Sequence, residues 1–150
     1  MAEYSANAAQ VVNPGESVIF TESPVPCRRG LVRHRDGSGN FLLSGAIQNG
    51  FRSCCGRQSV DYLIGFGANI SIPEGGTAGP ISLALAIDGS TEPETTMTVT
   101  PAAAEDPFNV SRTTNIPIWI GCCETVSVRN ISDQPITVAN ANITIVRSNN

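Results

Sequence analysis

The heptapeptide Ile81-Ser82-Leu83-Ala84-Leu85-Ala86-Ile87 carries a large apolar side chain at every second position, with small residues between. A period of two belongs to a β-strand, whose successive side chains point to opposite faces. The large residues fill a core on one face, and the small ones admit close packing on the other. Long helices are excluded along the rest of the chain. Its 150 residues include 14 Gly and 10 Pro spread from end to end, and breakers at such short intervals interrupt helices. Val, Ile and Thr are abundant, and their stiff branched side chains fit a pleated sheet. The sequence therefore predicts an all-β domain of many short strands.

Turn chemistry places those strands. Asn13-Pro14-Gly15-Glu16 is a turn between strands at 11–12 and 17–20, with Pro and Gly as a type II turn requires. Residues 24–26 read as a loop, 31–35 as a strand, Asp36-Gly37-Ser38-Gly39 as a turn and 41–43 as the next strand. Residues 48–58 read as a polar loop. Residues 60–72 read as one long or bent strand, with Gly65 and Gly67 permitting a bulge or close packing. Strands follow at 81–87, 95–100, 108–112, 116–120, 125–129, 136–139 and 142–147. Ile116, Ile118 and Ile120 share a face opposite Pro117 and Trp119, and Pro117 marks an edge strand. A single helical turn fits at 102–105, confined by Pro101 and Pro107. About eight to ten strands at this spacing suit a sandwich or barrel. The length suits one domain, residues 1–150, with a short segment at about 1–6 as an arm.

Charge narrows the function. All nine cations are Arg, there are 13 carboxylates, and the net charge is -4. Nucleic-acid binding draws its affinity from neutralised phosphates, so a mildly acidic chain is not expected to bind nucleic acid. No apolar run reaches the roughly 20 residues of a membrane helix, and the first residues show no signal-peptide pattern. No membrane partner is expected.

Four blocks carry a resemblance: residues 9–20, 81–89, 124–132 and 136–146. In this order they resemble the strands of small trimeric jelly rolls from Gram-positive bacteria and their phages. The best-known relative is the C-terminal domain of collagen-like spore-surface glycoproteins, itself similar to tumour necrosis factor and the globular head of complement C1q. The resemblance implies an antiparallel TNF/C1q-like jelly-roll sandwich, a homotrimer, and no enzymatic activity or cofactor. No Gly-X-Y stalk is present, so the chain is more similar to small jelly-roll proteins encoded in prophages of gut Firmicutes. That implies a structural protein: a phage virion decoration or head/tail fibre component on the virion surface, partnered by itself and by a capsid or other virion protein. The alternative is a surface-binding, lectin-like or adhesin module, or a spore- or cell-surface jelly roll.

Candidate sites follow. In a trimer of this kind one sheet faces the threefold axis. In the last strand Thr144 and Val146 oppose Ile143 and Ile145, leaving neither face strongly polar. Trp119, Thr144 and Val146 are therefore expected at the trimer interface. Five cysteines, Cys27, Cys54, Cys55, Cys122 and Cys123, are candidates for disulfides. Their connectivity stays open, and an odd count leaves one thiol free or paired between subunits. Adjacent cysteines lack the Cys-x-x-Cys spacing of a zinc site, so no metal is expected. Arg28, Arg29, Arg33 and Arg35 form the densest positive patch, able to seat an anionic partner. The alternative is a charged edge strand that discourages unwanted pairing, or cations held in salt bridges. His34, the single histidine, lies next to no Gly-x-Ser-x-Gly nucleophile elbow. Glu92, Glu94, Glu105 and Asp106 lie in turn-like segments. No catalytic residue is expected. The Asn-x-Ser/Thr sequons at Asn69, Asn109, Asn130 and Asn142 are expected to reflect strand-end composition only.

Overall fold

The computed structural model describes residues 1–27, 30–46 and 59–148. Among these, twelve strands occur in chain order: β1 (Ala2–Ala6), β2 (Gln10–Val12), β3 (Glu22–Val25), β4 (Val32–His34), β5 (Phe41–Ser44), β6 (Ser59–Ser71), β7 (Ile81–Ile87), β8 (Ser90–Thr91), β9 (Met97–Val99), β10 (Phe108–Trp119), β11 (Cys123–Asn130) and β12 (Ile136–Ser148). They form two six-stranded antiparallel sheets. The first runs β10-β6-β12-β1-β3, with β2 also paired to β12. The second runs β4-β5-β11-β7-β8, with β9 also paired to β7.

Alternation in sequence becomes two faces in space. Ile81, Leu83 and Leu85 of β7 are fully buried and meet Ile64, Ile70, Ile118 and Ile136 of the other sheet in one core. Phe41 centres an aromatic group at one end: its ring lies 4.9 Å from that of Tyr4, 5.2 Å from Phe20 and 4.6 Å from His34. Truncating Leu85, at 0% exposure, to Ala should cost about 2–5 kcal/mol, read as a fall in denaturant midpoint at unchanged slope.

Several sequence expectations are corrected. Among the described residues the strand count is twelve, above the eight to ten expected, because β1, β3 and β8 are short and carry weak signals. The segment at 1–6 is not an arm: Ala2–Ala6 is β1, hydrogen-bonded between β12 and β3, with Ala2, Tyr4 and Ala6 buried. Pro24 lies inside β3 rather than in a loop. That strand is at a sheet edge, where a missing N–H is tolerated. Residues 17–20 form no strand. Ser17 makes one isolated bridge to Arg129, and Val18 N–H donates to the Val128 carbonyl at 2.8 Å as the chain crosses to the second sheet. Residues 108–112 and 116–119 are one continuous strand, β10. Residues 136–147 are likewise one strand, β12, with an irregularity between Ala139 and Asn142 where Asn140 takes φ 51°. The one described helical turn is a 3-10 turn at Pro93–Thr95, while 102–105 is irregular, with Glu105 at φ 65°.

Candidate functional site

The first sheet turns one face to the core and the other outward. The burial pattern of β6 places Asp61, Leu63, Gly65, Gly67, Asn69 and Ser71 on the outward face. On β10 the outward positions are Asn109, Ser111, Thr113, Asn115, Pro117 and Trp119. On β12 they include Thr137, Asn142, Thr144, Val146 and Ser148. Across these three adjacent strands Asp61 is the single charged outward residue. The solvated face of an antiparallel sheet is polar along each strand, whereas this one also carries Leu63, Val146, Pro117 and Trp119. Depletion of charge together with an exposed aromatic side chain is a compositional mark of an interface core.

Register arranges this face in rows. Leu63 lies between Asn115 and Val146. Gly65 lies between Thr113 and Thr144, and the row continues through Glu3 to Val25. Gly67 lies between Ser111 and Asn142. The two glycines leave the middle of the sheet flat, since no side chain rises from the strand at its centre. Leu63 is 45% exposed and Trp119 56% exposed, an unusual state for a leucine in a central strand.

The structure thus brings Trp119, Thr144 and Val146 to one face, with Val146 and Thr144 central and Trp119 on the edge strand opposite Ser59. Sequence reasoning missed Leu63, which stands among large core residues in an apolar run. Its odd position against Tyr62 and Ile64 was the available signal.

The cysteines fall at different places. Cys27 is half-buried against the core beside Tyr4. Burial pushes the Tyr4 phenol up, the neighbouring Cys27 adds to that, and a backbone hydrogen bond from Cys27 opposes it. Cys122 and Cys123 are exposed at the β10–β11 connection. There Cys122 N–H donates to the Trp119 carbonyl at 3.1 Å, and Gly121 takes φ 87° as a type II turn demands. Cys54 and Cys55 lie outside the described residues, as do Arg28 and Arg29.

His34 has a structural place. Its ring stacks on Phe41, and Nε2 donates to the Ser38 carbonyl at 2.9 Å, closing the turn after β4. Tyr62 is fully buried and its hydroxyl reaches the Ser44 carbonyl at 2.6 Å and the Leu31 carbonyl at 3.2 Å. Among the sequons, Asn69 and Asn109 face each other across β6 and β10, with Asn109 Nδ2 donating to Asn69 Oδ1 at 3.1 Å. Asn130 is completely buried. Its Nδ2 donates to the carbonyls of Val12 at 2.9 Å and Gln134 at 3.0 Å, and its Oδ1 accepts from Ser132 N–H at 2.8 Å.

No family model matches the sequence, and no curated protein does. Solved structures do match. A TNF protein, Eiger from S. frugiperda, superposes with a TM-score of 0.64 at 12% identity, covering 99% of this chain and 92% of that one. The globular domain of a zebrafish complement 1qA protein superposes with a TM-score of 0.57 at 12% identity, covering 99% of this chain and 98% of that one. The fold is an all-β, two-sheet antiparallel jelly roll of the C1q/TNF type.

Proposed function

We propose that this chain is a non-enzymatic structural protein that assembles as a homotrimer, and that it serves as a decoration or head/tail fibre component on a phage particle, seated on a capsid or other virion protein. The observation that carries the trimer is the outward face of β10, β6 and β12, with one charge, a flat glycine centre and Leu63 beside Val146. Domains of the C1q/TNF type form homotrimers, which supports the reading. Three copies would close a heterologous ring about a C₃ axis, burying well over ~1,000 Å² as permanent interfaces do. The virion role is supported by the resemblance of the four strand blocks to small prophage jelly rolls.

Sedimentation of the purified protein tests assembly. The expected species is a trimer. In Val146→Asp, three carboxylates would be buried without partners near the axis. At a few kcal/mol each, this should weaken association by more than about 1,000-fold while keeping the sheet spectrum. Trp119→Ala should weaken it less, since Trp119 is on the edge strand. A monomeric wild type sinks the proposal, and a trimeric Val146→Asp places the axis on another face. The virion role is tested separately by probing purified particles with an antibody to the chain. Particles without the protein contradict it.

A further inference from the structure

The outer face of the second sheet carries two exposed cations at its β4 edge, where their charge also discourages pairing with another strand. Arg33 on β4 and Arg35 just beyond it are both exposed. His34 between them is held inward on Phe41 and the Ser38 carbonyl, so strand alternation turns Arg33 outward, and Arg35, past the strand end, is exposed as well. Among the described residues neither has a carboxylate within ion-pair distance, which removes the salt-bridge explanation for these two. They flank a groove of about 440 Å³, in which Leu42, paired with Arg33 and Thr125, forms an apolar floor. Ser38, Asn40 and Thr125 add hydroxyl and amide groups to its walls.

We infer that this groove binds a carboxylate-bearing polysaccharide, a uronic-acid glycan. A guanidinium fork matches a carboxylate in a bidentate pair. The hydroxyl and amide groups suit sugar hydroxyls, and the apolar floor suits the C–H face of a pyranose ring. Charge density selects against other polyanions. Arg129 is tied through Nη1 to the Gly89 carbonyl at 2.8 Å, and Arg147 lies over the Tyr62 ring. Among the described residues Arg33 and Arg35 are the cations on this face without a partner, and two charges cannot neutralise the roughly six to ten phosphates of a duplex contact. A glycan with one charge per sugar or fewer asks for no more than they offer. The site lies on the opposite sheet from the proposed trimer face and does not depend on it.

Calorimetry with the intact protein and a short oligogalacturonate tests the inference, with its methyl ester, poly-L-glutamate and single-stranded DNA as competitors. Expected are binding to the free acid, weakening with salt, loss of at least about tenfold in affinity in Arg33→Ala/Arg35→Ala, and no change in Arg112→Ala on the first sheet. No binding, or binding unchanged in the double variant, overturns the site. Equal or tighter binding of polyglutamate or DNA overturns the glycan assignment. Should the double variant lose its sheet spectrum, Leu42→Asp is read instead: loss of binding supports the site and retention overturns it. Because affinity is measured per chain, loss of the trimer leaves this result interpretable.

Discussion

Asn130→Asp should destabilise the domain by about 3–5 kcal/mol at neutral pH, one of the largest effects available to a single isosteric change. The side chain has 0% exposure, and its amide nitrogen donates to two backbone carbonyls, those of Val12 and Gln134. Val12 belongs to the first sheet and Asn130 ends β11 of the second, so this one amide ties the two sheets together. Its backbone adds to the tie, donating to the Glu16 carbonyl at 3.0 Å and accepting from Gly15 N–H at 2.8 Å. An aspartate here turns both donors into a charged acceptor facing two acceptors. The sign with pH follows. Burial raises the folded-state pKa of the new carboxyl above its unfolded value. The penalty is therefore full at neutral pH and fades as pH falls toward the ordinary carboxylate range near ~4. Asn130→Ala should cost about 2–4 kcal/mol with no such pH dependence, because it only leaves buried groups unpaired. Urea titrations of both variants from neutral to mildly acidic pH separate the two. A neutral-pH loss for Asp no larger than for Ala would show that water reaches the site.

Gly45→Ala should be the second severe change. Gly45 is buried where the end of β5 meets the β10–β11 turn. Its N–H donates to the Cys122 carbonyl at 2.8 Å, and its carbonyl accepts from Gly121 N–H at 3.4 Å. A Cβ would overlap the Trp119 carbonyl oxygen and sit 3.0 Å from that of Cys122. Both obstacles are backbone atoms in a hydrogen-bonded turn, so neither can rotate away. Overpacking of this kind costs about 1–3 kcal/mol and more when the backbone must move. The turn joins the edge of the first sheet to the second, so the displacement should also reach Trp119. As the single tryptophan, it makes the shift visible in its emission spectrum. A variant with unchanged melting and emission would show that the turn yields freely.

How much of this was legible depended on whether a residue's role is local. The β7 alternation and the opposition of Trp119 to Ile116 and Ile118 are periodic facts, and both faces came out as read. β1 was missed because Ala2, Ser5 and Ala6 are small: it is held by neighbours on both sides rather than by its own propensity. The polar middle of β10, Arg112 to Asn115, looked like a break between two strands. On an edge strand with an outward face such residues are tolerated, and β6 pairs with all of them. The helical turn at 102–105 failed against the sequence's own punctuation, whereas Pro93 opens the real one at its first position. Asn130 gave a sequon, a surface signal, while its partners Val12 and Gln134 come from distant or irregular segments that no local pattern joins. Gly45 was silent for the same reason, since its constraint is the proximity of another turn.

The position of β12 also dictates the order in which this molecule can be made. It pairs with β6 on one side and with β1 and β2 on the other, and Ala2 lies opposite Ile145. A ribosome delivers β1, β2 and β6 first, and each must wait with an unpaired edge for the strand that joins them. Contacts so distant in sequence form slowly, on the millisecond-to-second scale of non-local β topologies. Open edges during that wait invite pairing with other nascent chains. Synthesis rate and chaperone supply should therefore bear on the yield of native protein.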